Sequence, residues 1–363
     1  MAVVGLQLRD FRCFDEARIA LSADGVTVIR GSNGAGKTSV LEAIGWLAAG
    51  RSWRASDRSA LVRNGTETAR IGAELRVKGR VTLVQATVPR QGASRVVLDG
   101  QPLRTRRVLA EQLRVVVAAP SDVRLVTDGP AERRGLLDDL LVLRSARAEQ
   151  ARRELERCLR QRGALLQQAR GRLDPATLRT LEVWDERLAE AGTLVASMRE
   201  ALASELAAAC GPAHSRLAPA APPLGLRYRR SWDGPLLDAL AAAREEDLRR
   251  QTTSVGPHRD DLELMLGGRP ARSEASQGEQ RTIALALRLG AFALLAREDL
   301  EPPVLLLDDV FAELDDQRAR ALVEELPRDG AQVLLTTTTA APPAVPVTAR
   351  LRLDRGRVEA DAA

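Results

Sequence analysis

Hydrophobic residues follow two different periods along the chain. Up to about residue 116, short apolar runs alternate with polar residues, as in "RIALS", "ARIGAELRV" and "RVTLVQATV". Such alternation predicts β-strands with one buried face. From Pro130 onward helix formers dominate, and "AERRGLLDDLLVLRSARAEQARRELERCLRQRGALLQQARGRL" places leucines three and four residues apart. This spacing predicts one helix of about 40 residues with an apolar stripe.

Two more helical segments precede a return to strands. Asp174 and Pro175 are a predicted cap and first turn for a second helix, which we expect to run to Cys210 and to end at the breaker "GPAHSRLAPAAPPLG". A third helix is predicted in "LLDALAAAREEDLRRQ", and "TSVGPHRDDLELMLGG" is strand-like again. The pattern predicts an α/β head in two parts, 1–116 and 252–363, split by an inserted α-helical lobe, 117–251.

Composition narrows the classes of protein to consider. Hydrophobic residues make up 45% and charged residues 28% of the chain, as in ordinary globular domains. No apolar run approaches the roughly 20 residues of a membrane span, and the start is unlike a secretion signal, so we expect no membrane partner. Cys13, Cys158 and Cys210 are odd in number and scattered, which predicts neither disulfides nor a metal site and is typical of a cytoplasmic protein.

The charge pattern is more informative than the total. The 54 Lys and Arg residues exceed the 49 Asp and Glu by five, which permits nucleic acid binding without requiring it. Only Lys37 and Lys78 are lysines, so Arg supplies nearly every cation. Lysine is a compact point charge, and we expect it to be kept where the chemistry needs one. Lys37 lies in the strongest motif of the chain.

That motif is "GSNGAGKTSV", which fits the phosphate-loop pattern G-x-x-x-x-G-K-[ST]. A strand-like "GVTVIR" precedes it and a helix-like "SVLEAIGWLAAG" continues it, which favours a nucleotide-binding loop over a simple glycine-rich turn. We expect Lys37 to reach the β- and γ-phosphates of ATP and the Thr38 hydroxyl to bind Mg²⁺. The expected ATP-binding residues are Gly31, Ser32, Asn33, Gly34, Ala35, Gly36, Lys37, Thr38 and Ser39.

A second motif, "PPVLLLDDVFAELDD", is an apolar run followed by carboxylates. The run predicts a buried, parallel strand, and ligands of open α/β sheets lie beyond the carboxyl ends of such strands. We expect Asp308 to hold Mg²⁺ opposite Thr38, and we take Lys37, Asp308 and Asp309 as candidate catalytic residues. The alternative for Asp309 is that it only caps the next turn.

A polar loop, "SEASQGEQRT", precedes the apolar run "IALALRLGAFALLA". The first turn of a helix favours a bound phosphate, because its N–H groups and its dipole point at the anion. Ser276 and Glu279 also have the spacing of a capping box, so the alternative is a loop that only starts the helix.

These motifs resemble the ABC-type ATPase heads of the SMC and Rad50 superfamily. Within it, "LQLRDFRCF", "GSNGAGKTSVLEAI", "DGPAERR", "TSVGPHRDD", "SQGEQRTIALAL" and "LLLDDVFAELD" are similar to the RecF family of DNA repair proteins over nearly the whole chain. "DGPAERR" and "TSVGPHRDD" point to that family, whereas the phosphate loop marks only the larger class. The resemblance implies an ABC-type P-loop head, a mixed sheet with flanking helices, split by the helical lobe.

The resemblance also implies a function. Ser276 and Gly278 would cap the γ-phosphate of ATP held by a second copy, giving a homodimer around two ATP molecules. This dimer would bind DNA at gaps or at single-strand and double-strand junctions, and would help the RecO and RecR proteins to load RecA.

Departures from fast ABC ATPases imply slow, DNA-dependent hydrolysis that acts as a timer. Position 309 is Asp where those enzymes carry Glu. Thr336 to Thr339 stand where many transporters place a His, and Gln112 comes early for the usual γ-phosphate sensor.

Arginines are the candidate DNA contacts. Near the predicted junction of head and lobe these are Arg104, Arg106, Arg107, Arg114, Arg124, Arg133 and Arg134, and on the following helix they run from Arg144 to Arg162. Contacts from them to phosphates would be sequence-independent and salt-sensitive. Acidic residues are interleaved along that helix, so a paired, solvated face is the alternative. Aromatic residues are only 2% of the chain, which favours the duplex backbone over stacking with single strands.

Three functions stay open from the sequence. The preferred one is an ATP-gated DNA clamp with weak ATPase activity; the others are an ATPase subunit of a transporter and an ATP-stabilised structural interaction module. A helix of about 40 residues reaches only about 60 Å, which excludes the long arms of SMC proteins. His258 in "GPHRDD" is either a nucleotide sensor or a structural loop residue.

Overall fold

The computed structural model describes residues 1–103, 107–169, 174–297, 301–327, 330–338, 345–354 and 356–360. The chain forms two compact units. Unit 1 comprises Met1–Val123, Ala209–Ala221 and Gln277–Ala363, and unit 2 comprises Arg124–Ala208 and Pro222–Ser276. The domain limits at residues 116 and 252 stay predictions.

The strands form three sheets. They are β1 (Ala2–Phe11), β2 (Phe14–Ala20), β3 (Gly25–Gly31), β4 (Thr68–Val77), β5 (Arg80–Pro89), β6 (Arg95–Leu98), β7 (Gln101–Pro102), β8 (Val115–Ala118), β9 (Leu224–Arg229), β10 (Asp261–Leu266), β11 (Arg269–Pro270), β12 (Val304–Asp308), β13 (Gln332–Thr337), β14 (Val347–Asp354) and β15 (Arg357–Ala360). Unit 1 holds an antiparallel sheet of order β2-β1-β4-β5-β6-β7 and a mixed sheet of order β15-β14-β3-β13-β12-β8. Unit 2 holds the small sheet β11-β10-β9.

Helices supply the remaining regular structure. They are α1 (Lys37–Ala49), α2 (Arg107–Ala110), α3 (Arg124–Thr127), α4 (Pro130–Arg144), α5 (Ala146–Ala169), α6 (Pro175–Leu217), α7 (Leu236–Ala242), α8 (Arg244–Arg250), α9 (Ala271–Glu274), α10 (Gln277–Ala296) and α11 (Asp316–Glu325). Short 3-10 turns lie at Arg58–Leu61, Pro120–Val123 and Val310–Glu313. Among the described residues, no helix is both long and apolar enough to cross a membrane.

The mixed sheet places the nucleotide motifs side by side. Strand β13 pairs in parallel with β3 on one side and with β12 on the other, and β8 and β14 are also parallel to their neighbours. All five residues of β12 are buried, as expected for a continuous apolar run in the interior of a sheet. The prediction of a buried parallel strand before Asp308 is therefore confirmed, and the carboxyl ends of β3, β12 and β13 share one edge.

The two sheets of unit 1 share one apolar core and are joined by a buried side chain. Residues of β1, β4 and β5 that point inward pack with α1 and with β12. The Gln332 amide, which is 0% exposed, accepts a hydrogen bond from the Val3 N–H at 2.8 Å and donates to the Val3 carbonyl at 2.7 Å. Gln332 thus pairs with β1 as another strand's backbone would.

Three helix predictions need correction. The third predicted helix, "LLDALAAAREEDLRRQ", is two short helices, α7 and α8, that meet at Ala243. The first predicted helix is two helices, α4 and α5, because Ser145 is extended (φ −145°, ψ 124°) and its hydroxyl accepts from the Ala148 N–H at 3.3 Å. The second helix starts at Pro175 as predicted, with the Asp174 carboxylate accepting the N–H of Ala176 at 2.8 Å. It ends not at Cys210, as predicted, but seven residues later at Leu217, inside the predicted breaker and after passing through Pro212.

Packing explains why α6 continues. A Cβ built on Gly290 of α10 would lie 2.4 Å from Cys210 Sγ, so the two helices meet closely in unit 1 just before Pro212. A proline inside a helix removes one backbone hydrogen bond, and we infer that this close contact helps to keep α6 helical through Pro212.

Candidate nucleotide-binding site

Two glycines allow the phosphate loop to fold tightly between β3 and α1. Gly36 has φ 106°, and a Cβ built on it would lie 2.7 Å from Phe14 Cζ and 2.8 Å from Cys13 Sγ. A Cβ on Gly31 would lie 2.5 Å from the Leu353 carbonyl oxygen of β14. Neither position tolerates a side chain, because backbone conformation or close neighbours exclude it. Ser32 and Asn33, between these glycines, are exposed.

Lys37 lies folded against its own loop. Its Nζ donates to the Gly31 carbonyl at 2.8 Å and to the Ser32 carbonyl at 3.0 Å, and the residue is 7% exposed. Burial lowers the pKa of the Lys37 ammonium, while the charges of Asp309 and Asp308 act in the opposite direction. The structure therefore holds a desolvated cation within the loop, next to two carboxylates.

Asp308 is the centre of a chain of hydrogen bonds between strands. Its Oδ1 accepts from the Thr38 hydroxyl at 2.7 Å and from the Thr336 hydroxyl at 2.8 Å. Burial raises the pKa of the Asp308 carboxyl, and the two hydroxyl donors counteract part of that rise. Thr38 and Asp308, 270 residues apart in sequence, thus meet as the sequence predicted.

Asp309 has a side chain with no structural task among the described residues. It lies at the start of the Val310–Glu313 turn, but its carboxylate makes no capping hydrogen bond there. Its buried Oδ1 has no partner in the described part of the chain, whereas its N–H donates to the Thr336 hydroxyl at 2.9 Å. This geometry disfavours the alternative in which Asp309 is only a cap.

The Asp309 backbone has φ 51°, in the left-handed region. Asp and Asn tolerate this conformation better than longer residues such as Glu. The local fold therefore gives a reason for the shorter carboxylate at this position.

Ser276 and Gly278 lie at the start of α10, which confirms the predicted helix after the polar loop. Ser276 is exposed and directly precedes the helix. Gly278 faces Arg318 of α11: a Cβ there would lie 3.3 Å from Arg318 Nη1. The role of both residues toward a second copy stays a prediction.

Gln112 lies on the wrong side of the sheet for a γ-phosphate sensor. It precedes β8, which runs parallel to β12, so it lies at the amino end of the strands, opposite the phosphate loop. Of the threonine run, Thr336 is bonded to Asp308, and Thr339 lies outside the described residues.

Sequence reasoning missed three contributors to the site. Thr336 attracted notice only as a replacement for His, although its hydroxyl links Asp308 to the Asp309 backbone. Arg54 supplies a positive charge that lowers the pKa of the Asp308 carboxyl. Phe14 packs against Gly36 from the β1–β2 turn. A single sequence offers no signal for the last two, because the contacts depend on long-range folding.

The predicted DNA contacts near the head and lobe junction are wrong for two arginines. Arg114 is 0% exposed and donates to the carbonyls of Leu295 and Glu301, at 3.4 and 2.6 Å. Arg133 is 5% exposed and binds both carboxylate oxygens of Asp261, at 2.8 and 3.0 Å. Buried, paired guanidinium groups cannot also reach a phosphate.

The other predicted junction arginines differ in what they contact. Arg124 pairs with Asp128 and Glu132, and Arg134 donates to the Asp260 carbonyl at 2.6 Å. Arg104 and Arg106 lie outside the described residues, and Arg107 begins α2.

The arginines of α4 and α5 are mostly paired within unit 2. Arg144 pairs with Glu205, Arg152 with Glu156, Arg153 with Glu149 and Arg157 with Glu154. Arg162 is 0% exposed and lies between Asp185 and Asp247. These contacts favour the alternative of a paired, solvated helix face over a DNA-binding stripe.

His258 is bonded within its own loop. Its Nε2 lies 2.9 Å from the Thr253 carbonyl, and burial lowers the pKa of the imidazole. The contact favours the structural alternative over a nucleotide sensor.

The family described as RecF/RecN/SMC N terminal domain matches residues 2–343. The chain belongs to the RecF/RecN/SMC family. A structure of the recombination mediator protein RecF-ATP in the RecFOR pathway is 27% identical, with TM-score 0.90, over 99% of this chain and 98% of that chain. The corresponding RecF-ATPrS structure is 27% identical with TM-score 0.87 over the same shares.

SMC heads share the fold with this RecF-like chain. An Smc head domain with an extended coiled coil, derived from Pyrococcus furiosus, is 17% identical with TM-score 0.59 over 100% of this chain and 96% of that chain. The expected fold class is therefore confirmed: an ABC-type P-loop ATPase head of mixed α/β structure with an inserted helical lobe.

Proposed function

We propose that this protein is an ATP-dependent DNA-binding protein of recombinational repair that dimerises around ATP. One observation carries the proposal: the phosphate loop, Thr38 and Asp308 converge at one sheet edge, in a chain similar along 99% of its length to RecF with ATP. A cytoplasmic location is part of this proposal. RecO and RecR are the proposed partners, since the related structure is assigned to the RecFOR pathway.

The donors present fit ATP and Mg²⁺. Mg²⁺ usually binds one or two carboxylates together with waters and phosphate oxygens, so a complete protein cage is not needed. Accordingly, the described residues contain no cluster of three or more His, Cys, Asp or Glu arranged for a metal, while Thr38 and Asp308 present oxygens 2.7 Å apart. Thr38 and Asp308 would hold Mg²⁺, which would supply positive charge that neutralises the β- and γ-phosphates.

The residues of the chain then divide the work. The loop Gly31–Ser39 surrounds the phosphates with N–H groups, and Lys37 exchanges its two carbonyl acceptors for phosphate oxygens. Asp308 holds the cation, with Thr336 fixing the carboxylate.

Asp309 orients the attacking water. Its carboxylate has no other task among the described residues but is one methylene shorter than Glu. We expect turnover well below about 10 per second, the middle of the range for enzymes. Asp309→Asn keeps the left-handed preference, so it should bind ATP normally and hydrolyse it still more slowly.

Ser276 and Gly278 are proposed to contact the γ-phosphate of ATP in the second copy. We would measure the mass of the chain in solution with and without ATP and Mg²⁺, for wild type, for Ser276→Arg and for Ser204→Arg, a matched change at an exposed position of α6. Wild type and Ser204→Arg should double in mass with ATP, whereas Ser276→Arg should bind ATP and stay monomeric. If wild type binds ATP and remains monomeric, the dimer model is wrong and the loop is a helix cap.

Substitutions at the two lysines distinguish an ATP switch from an ATP-stabilised structural module. Lys37→Arg should lose ATP-dependent dimerisation without unfolding, because a planar guanidinium replaces the compact point charge that the phosphates need. Lys78→Arg, at an exposed turn, is the matched control and should behave as wild type. Unfolding of Lys37→Arg, seen by circular dichroism, would support the structural module instead.

A further inference from the structure

The antiparallel sheet of unit 1 has one face in the core and one in solvent. Along β4, Ala69, Ile71 and Ala73 are buried while Arg70 and Glu74 are exposed. The same alternation holds in β1, β2 and β5, as expected for strands covered on one side only. We call the exposed side the outer face.

Three arginines lie in one line across the outer face. The strand register places Arg9 of β1 directly opposite Arg70 of β4, Arg70 opposite Thr87 of β5, and Thr87 opposite Arg95 of β6. With strands about 4.8 Å apart, Arg9 and Arg70 are neighbours, and Arg95 lies about 10 Å beyond Arg70. We call Arg9, Arg70 and Arg95 the arginine row.

The arginine row is unfavourable for the isolated sheet. Like charges directly opposite each other on adjacent strands destabilise an antiparallel pair. Within the described part of the chain, none of the three guanidinium groups makes an ion pair, although Arg12, Arg63 and many others do. An arrangement that folding disfavours, and that no ion pair in the described part of the chain relieves, points to an external anion.

The surroundings of the row fit an extended anion. Two residues along the strands, a second line contains Arg18, Gln7, Gly72 and Gln85, which are positive, polar or without a side chain. Acids on this face include Glu16 of β2, which lies opposite Arg9 and is 3.7 Å from Arg18, and Glu74, which is four residues from Arg70 along β4.

We propose that the outer face binds the sugar-phosphate backbone of duplex DNA, with the arginine row contacting phosphates. This inference rests on the proposed function, in which the protein binds DNA, and adds the surface responsible. Arg, Gln and Thr side chains are typical donors to DNA phosphates. The only aromatic residues of these strands, Phe11 and Phe14, are 0% exposed, so the face has no stacking platform for single-strand bases.

The helical arginines provide a control of equal charge. Arg152, Arg153 and Arg157 of α5 are paired with acids, so the triple variant R152Q/R153Q/R157Q lowers net charge by three without touching the outer face. The test variant is R9Q/R70Q/R95Q, which lowers net charge equally. Both are full-length proteins, and both should retain the wild-type circular dichroism spectrum and affinity for ATP.

Binding of a fluorescein-labelled duplex is measured by anisotropy with ATP and Mg²⁺ across a salt series. Each phosphate contact contributes about 0.9 to the slope of log affinity against log salt. The sheet variant should therefore show a slope smaller by about 2.7, equivalent to a roughly 40-fold smaller change in affinity between about 50 and 200 mM salt. The helix variant should keep the wild-type slope. If the triple sheet variant misfolds, R70Q alone should lower the slope by about 0.9.

The outcomes distinguish this inference from the proposed function. If wild type binds duplex and the sheet variant has the same salt slope, the inference is overturned while DNA binding stands. An acidic protein would then be the partner to test at the outer face. An equal decrease of the salt slope in both triple variants would show that net charge causes the effect, and would also overturn the inference. If wild type does not bind duplex in the presence of ATP and Mg²⁺, the proposed function and the inference fail together.

Discussion

Substitution of two buried threonines on adjacent strands tests the hydrogen bonds that the Thr336 hydroxyl makes with Asp308 and Asp309. Thr336 of β13 and Thr27 of β3 are both 0% exposed, on strands that pair in parallel. The Thr336 hydroxyl donates to Asp308 at 2.8 Å and accepts from the Asp309 N–H at 2.9 Å. The Thr27 hydroxyl has no hydrogen-bond partner among the described residues. Substitution by Val replaces each hydroxyl by a methyl group of similar size and keeps the packing.

The two variants should change stability in opposite directions. Thr336→Val removes a hydrogen bond to a charged group, worth about 1.5–3 kcal/mol, and leaves the partly buried Asp309 N–H unpaired, so we expect a total loss of about 3 kcal/mol. Thr27→Val removes an unpaired buried hydroxyl and should increase the free energy of unfolding by about 1 kcal/mol. The difference between the variants is then about 4 kcal/mol.

The pH dependence adds a second criterion. Burial raises the pKa of Asp308, and the Thr336 hydroxyl partly lowers it by stabilising the ionised form. Loss of that hydroxyl raises the pKa further. The destabilisation by Thr336→Val should therefore be complete above the folded-state pKa of Asp308 and decrease as pH falls through it. Thr27→Val involves no titrating partner, so its effect should not vary with pH.

Urea unfolding followed by circular dichroism measures both effects. Wild type and the two variants are compared at neutral and at mildly acidic pH, and unchanged slopes against urea would show that the midpoints report stability. ATP turnover of Thr336→Val should also fall, since the Asp308 carboxylate and the Asp309 backbone lose their common anchor. Equal shifts of the two midpoints at neutral pH would refute the reasoning.

Two further predictions follow from burial and register. Burial raises the pKa of all three thiols, to about 11 for Cys158 and to about 12 for Cys210, but of the three only Cys13 is exposed. A maleimide near neutral pH should therefore label Cys13 alone in the native protein; mass spectrometry that found either other cysteine labelled would contradict this. Arg70→Gln relieves the repulsion from Arg9 and should increase the free energy of unfolding at low salt by about 0.2–1 kcal/mol, with no gain at high salt; a loss of stability in urea would count against the repulsion.

The site was predictable where local sequence encodes the local fold. Strand, glycine loop and helix around Lys37 are contiguous, so the motif specifies its own geometry, and a buried apolar run places Asp308 at the same sheet edge. The break at Ser145 depends on a single hydroxyl contact to Ala148, which competes with good helix formers on both sides. No periodicity distinguishes that hydroxyl from any other serine.

Charge partners were the least predictable part. Arg133 and Asp261 are 128 residues apart. A cluster of arginines in the sequence therefore does not show which of them will pair with an acid in the folded protein. The register that aligns Arg9 with Arg70 depends on the pairing of β1 with β4, which are separated in sequence by β2, β3, α1 and the segment after α1. In this chain, a cluster of basic residues in the sequence therefore does not predict a basic surface on the folded protein.

The order of strands in the mixed sheet has a consequence for biosynthesis. Strand β3, which carries the phosphate loop, pairs on both sides with strands that are made last: Gln332 of β13 is the partner of Gly25, and β14 supplies the other neighbour. At translation rates of about 5–20 residues per second, the loop leaves the ribosome about 15–60 s before its neighbours exist. A nascent or prematurely terminated chain therefore carries the complete phosphate motif without the sheet that shapes it. We therefore expect only the complete polypeptide to bind ATP.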